Sequence, residues 1–119
     1  MADVFTQSGE EILTDILDGT IALPTWHGQW GTGGSGAAKG NTALGVAGPE
    51  ARVVCVMSQP TTDTNRFLST ITATGTRAVI EFGLFTALSA GTLIARSDFT
   101  AINVVVNDRI EFTPDMLHS

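Results

Sequence analysis

Residues 67–85 read FLSTITATGTRAVIEFGLF, and the fold turns on how that stretch is parsed. From its start Phe67, Ser69, Ile71 and Ala73 fall on one side, and Leu68, Thr70, Thr72 and Thr74 on the other. A period of two marks a strand with one buried face, and threonine suits the wet one. Thr74-Gly75-Thr76 supplies a turn. Val79, Glu81, Gly83 and Phe85 then alternate with Ile80, Phe82 and Leu84, which predicts a further strand over 78–85.

The same pattern extends outward. Residues 52–58 enclose the apolar run Val53-Val54-Cys55-Val56-Met57 and predict a buried strand, followed by a turn at Gln59-Pro60-Thr61-Thr62-Asp63. Ser89-Ala90-Gly91 turns the chain into a strand over 92–99. Residues 102–106 and 109–112 flank Asn107-Asp108 and predict a closing hairpin. Short strands separated by turns predict a mainly β fold, an antiparallel, jelly-roll-like β-sandwich. Only the N-terminus reads as helix. Ser8-Gly9-Glu10-Glu11 has capping-box spacing, Ile12, Leu13, Ile16 and Leu17 form an apolar stripe, and Gly19 supplies a stop, so a helix is expected over 9–18. The expected organisation is an N-terminal arm over 1–21 and a β-sandwich domain over 22–119. The domain includes a glycine-rich loop at 31–40, expected to be mobile.

The chain has 119 residues, of which 43% are hydrophobic and only 15% charged, against about 25% charged in ordinary domains. That leaves an apolar surplus, for which a partner surface is one explanation. Twelve acids against six bases give a net charge of −6, and the five arginines are scattered with a single lysine, Lys39. Nucleic-acid binding needs clustered cations, and anionic membranes need a basic patch, so neither partner is expected. The N-terminus lacks a basic segment followed by an apolar stretch, so no secretory signal is expected.

The motif search yields no chemistry. Gly31-Thr32-Gly33-Gly34-Ser35-Gly36 spells the dinucleotide fingerprint, but more loop and Pro49 follow where a helix should open. His27 and His118 lack further donors at ligand spacing, so no metal, cofactor or catalytic residue is expected. Cys55 reads as a buried strand residue. Glu81 is odd, a lone acid in an apolar strand, and is expected either at a wet edge or paired with an arginine such as Arg77 or Arg96. Trp26 and Trp30 are either sandwich core or interface anchors.

Several segments carry a family resemblance: Trp30-Gly31-Thr32-Gly33, Ile71-Thr72-Ala73-Thr74-Gly75-Thr76-Arg77-Ala78 and Glu81-Phe82-Gly83-Leu84-Phe85. It continues through Gly91-Thr92-Leu93-Ile94-Ala95-Arg96-Ser97-Asp98-Phe99 and Asp108-Arg109-Ile110-Glu111-Phe112-Thr113. Over roughly 26–113 the chain resembles short virion structural proteins of tailed bacteriophages. Two positions depart from the family pattern: Phe82 stands where a small residue is usual, and Asn107 where glycine is usual. The resemblance implies a non-enzymatic capsid decoration or cement protein, assembled into the virion in the host cytoplasm. Its implied partners are the major capsid protein or other virion proteins and further copies of itself. A tail or head–tail connector component is the alternative, and a small hydrolase or carbohydrate-binding module using exposed Trp26 and Trp30 is the alternative of another class. The apolar surplus places the expected interface at Ile12, Leu13, Ile16, Leu17, Trp26 and Trp30.

Overall fold

The computed structural model describes residues 2–33 and 36–117. Along the chain come β1 (Ala2–Phe5), α1 (Gln7–Leu17), β2 (His27–Gly31), β3 (Val53–Val54) and β4 (Val56–Thr61). β5 (Thr64–Thr72), β6 (Arg77–Phe85), β7 (Leu93–Val104), β8 (Arg109–Phe112) and β9 (Asp115–Leu117) follow. Five strands form one antiparallel sheet in the order β1-β7-β6-β2-β3. A second antiparallel sheet runs β4-β5-β8, with β9 also paired to β5. The mainly β, sandwich-like arrangement is the one the alternation predicts.

Both strands of 67–85 form, but in different sheets, β5 in the second and β6 in the first, so the turn between them carries the chain across the sandwich. Phe67, Ser69, Ile71 and Ala73 are buried, and Phe82 and Leu84 meet them from β6 in one core with Trp30. Val79 joins that core although it is out of phase with Phe82, beside an irregularity in the ladder where three residues of β7 stand opposite one of β6.

Three expectations are corrected. The run over 53–57 is not a buried strand: Cys55 is buried, but Val54, Val56 and Met57 are exposed. β4 is the edge of its sheet, and the chain passes from one sheet to the other at Cys55, with β3 on β2 and β4 on β5. The closing hairpin is absent too, because β8 pairs with β5 in the other sheet. Asn107 takes a positive φ of 73° there, and the Asp108 carboxylate accepts the Val105 amide at 2.9 Å. Asparagine tolerates this left-handed backbone better than other side-chain-bearing residues, so the turn forms without glycine. The amide of Asn107 then bonds the carbonyl of Ala73, steering the chain onto β5.

The N-terminal stretch is the third. Residues 2–17 do not stand apart as an arm: β1 is an edge strand of the five-stranded sheet, registered Asp3 to Ser97 and Phe5 to Ala95. The helix cap is Thr6 instead of Ser8. Its hydroxyl accepts the Gly9 amide at 3.0 Å and donates to the Leu93 carbonyl at 2.6 Å, joining the helix start to β7. Gly9 is buried against β7, and a Cβ there would stand 2.4 Å from the Ile94 carbonyl oxygen. Alanine normally gains about 0.5–1 kcal/mol over glycine inside a helix. Here the obstacle is backbone, and overpacking costs about 1–3 kcal/mol. Gly9→Ala is therefore expected to lower stability in a denaturant titration despite its better helix propensity.

Candidate interaction surface

The two faces of the five-stranded sheet have different fates. On the outer face, the pairing of Glu81 with Asp98 and of Gly83 with Arg96 makes Glu81 and Arg96 diagonal neighbours. Both are buried, and Glu81 is 0% exposed. Glu81 Oε1 accepts Arg96 Nη2 at 2.8 Å, Arg96 Nε at 3.1 Å and the Gly45 amide at 2.7 Å. Its Oε2 accepts the amides of Gly33 at 2.7 Å and Val46 at 2.9 Å. Arg96 Nη1 donates to the Gly36 carbonyl at 2.8 Å and to Asn41 Oδ1 at 3.0 Å. Gly31 makes room, since a Cβ there would meet Glu81 Oε2 at 2.6 Å.

These bonds tie Gly33 and Gly36 of the glycine-rich loop, and Asn41, Gly45 and Val46 beyond it, to one ion pair. Gly34 and Ser35 lie outside the described residues. Breaking a buried pair from one side leaves an uncompensated charge and costs about 3–5 kcal/mol.

A second carboxylate anchors the end of β2. Trp30 Nε1 donates to Glu50 Oε1 at 2.7 Å, and the Thr74 amide and hydroxyl donate to Oε2 at 2.9 and 3.0 Å. Arg77 Nε stands 3.4 Å from the same oxygen without making a hydrogen bond. Burial raises the pKa of Glu50, but the bonds from the Thr74 amide, the Trp30 indole and the Thr74 hydroxyl outweigh it and hold the carboxyl below its ordinary 4.5. Trp30 itself is 1% exposed, which corrects its expected place at an interface: its ring is core and its N–H is satisfied. Trp26 is half-buried, set edge-on to Phe67 at 5.9 Å. The two indoles therefore present no common exposed platform for a sugar ring.

The expected helical interface divides as well. Ile12, Leu13 and Ile16 are half-buried, with Ile12 packed on the core, while Leu17 is 79% exposed. Burial pushes the Cys55 thiol up to about 11, so it is protonated at neutral pH. His27 is buried, its Nδ1 at 2.9 Å from the Thr25 carbonyl, and His118 lies outside the described residues. Among the described residues no three histidine, cysteine or acidic side chains gather as a metal site.

The inner face is where a large opening lies. Between β1 and β7 on one side and β8 and β9 on the other is an open cleft of about 890 Å³, floored by Phe82 and Leu84. Phe112 stacks on Phe82 at 4.1 Å and tilts against Phe99 at 6.2 Å; Phe5, Ile110 and Met116 add apolar wall. On the opposite side the chain itself joins the sheets at Cys55, whereas no described strand bridges β1 to β8 and β9. The sandwich is thus shut along one seam and open along the other. Reading 109–112 as the return of a hairpin hid this cleft, because it kept Phe112 away from Phe82.

No protein-family model matches the chain, and no curated protein matches it.

Two outcomes follow from the buried carboxylates. Arg96→Met should lower unfolding free energy by about 3–5 kcal/mol, because it strands the Glu81 charge. Arg66→Ala, which removes the exposed pair with Asp115, should leave the melting temperature nearly unchanged. The second concerns acid. The folded chain binds the Glu50 proton more weakly than the unfolded chain, so ionised Glu50 contributes stability above pH 4.5 that is lost as pH falls below it. In a series of acid melts, Glu50→Gln should be less stable at neutral pH and lose less stability than the parent below that point.

Proposed function

We propose that the chain is a structural component of a tailed-bacteriophage virion, of the capsid decoration or cement type. The observation that carries this reading is the open, aromatic-lined seam of a small domain. Monomeric proteins seldom leave an extended apolar surface uncovered unless it is used. The exposed Val54, Val56 and Met57 on the opposite edge add a second apolar strip. The resemblance over 26–113 supplies the class of assembly, and the net charge of −6 suits protein partners over nucleic acid.

In this role the domain works by burial. Copies seated across the joints between shell subunits would cover apolar surface on both sides, so that separating the subunits re-exposes it to water at about 25 cal/mol per Å². The outer face, locked by Glu81 and Arg96, gives each copy a rigid body through which to transmit that constraint.

Purified particles imaged by electron cryomicroscopy test the assignment. Copies spread over the whole shell in proportion to the capsid subunits are expected. Copies confined to one vertex or to the tail, or particles without the chain, would overturn it.

A further inference from the structure

We propose that the open seam takes an extended apolar segment of a partner protein, flanked by lysine or arginine and laid along the free edge of β1. This rests on the reading of the chain as an assembly component and names the chemistry of the partner. The first support is shape. A cleft of about 890 Å³ walled by Phe5, Phe99, Phe112 and Met116 offers apolar pockets, as side chains on one face of a strand require. The second is backbone. β1 ends its sheet, and its outer edge pairs with no other described strand, so its amides and carbonyls are placed to accept an added strand.

Charge selects the occupant. Asp3 stands on the β1 lip and Glu111 on the facing lip, where the charge of Asp115 is already met by Arg66. Among the described lining residues the one cation, Arg96, is taken up by Glu81, and Arg66, which lies nearby, is paired with Asp115. The mouth is therefore acidic around an apolar floor. A second copy would bring the same acids and a net charge of −6 to that mouth, which like-charge repulsion disfavours. A segment with basic ends meets the lips with opposite charge.

The test uses the isolated full chain and a short synthetic peptide in which valine and phenylalanine alternate with threonine, closed by paired lysines at both ends. Titration followed by NMR should move the resonances of Phe5, Phe99 and Phe112, and added salt should weaken the effect. The same peptide closed by glutamates should bind roughly tenfold more weakly or not at all. Asp3→Asn combined with Glu111→Lys should weaken the lysine peptide by roughly tenfold. Leu117→Asp, at an exposed position on the lip, should weaken it independently. Equal binding of the two peptides, or shifts confined to residues outside the seam, would overturn the proposal. So would a free protein that sediments as a dimer with those three resonances at the contact, or a seam that takes laurate but not the peptide. Because no particle is involved, failure here leaves the virion assignment standing, and a chain missing from particles leaves the peptide result standing.

Discussion

The ion pair between Glu81 and Arg96 is the interaction on which the rest of the molecule depends. Taking both charges out of water costs several kcal/mol per ion, and only close geometry with further hydrogen bonds offsets it. Here the offset comes from backbone. Three loop amides meet the carboxylate, and two loop carbonyls and Asn41 meet the guanidinium. The loop must therefore lie flat on the outer face, and the glycines of that region permit the approach. Their value lies in the missing side chain: a Cβ on Gly31 or Gly33 would collide with the clamp or with Val46. A stretch whose composition suggests mobility is thus part of the rigid body.

With the outer face closed by that loop, by α1 and by the small cluster of Leu44, Phe85 and Leu93, the apolar surplus of the composition has to appear elsewhere. Part of it lies in loops, at Leu23, Val46, Leu88, Val105 and Val106, and part at the sheet edges. One edge is the exposed strip of β4, beside the point where the chain changes sheets. The other is the seam between β1 and the β8–β9 segment, where no connection draws the sheets together. A single topological fact, that β3 and β4 are continuous while β1 and β8 are not, decides which side of the sandwich is shut. Phe82 sits on the floor of that seam and stacks on Phe112.

Much of this was legible in the residues, and the limits have physical causes. Alternation reports which face a side chain occupies, so β5 and its buried set could be read directly, whereas β6 is buried on both faces. Alternation does not report which strand lies alongside, and both the crossing of β8 to the second sheet and the edge position of β4 escaped for that reason. Thr6 and Ser8 both carry cap chemistry near the helix start, but Ser8 falls inside the first turn. Thr6 prevails because its hydroxyl also reaches the Leu93 carbonyl, a contact 87 residues away that no local pattern contains. Glu81 was conspicuous as a lone acid in an apolar strand, and Arg96 was one of two arginines it could meet; the loop amides that complete its shell were not foreseeable. Of the surfaces read as an interface, Leu17 is exposed, but Trp30 is core, because a large aromatic ring signals burial and binding alike.

Amide hydrogen exchange on the free protein tests the central claim most directly, since it reads the closed face and the open seam in one measurement. The account predicts that the amides of Gly33, Gly45 and Val46 exchange as slowly as those of the central strands, while outward-facing amides of β1 and of the β8–β9 edge exchange fast. Fast exchange at the three loop amides, with protection along the β1 and β8–β9 edges, would contradict it.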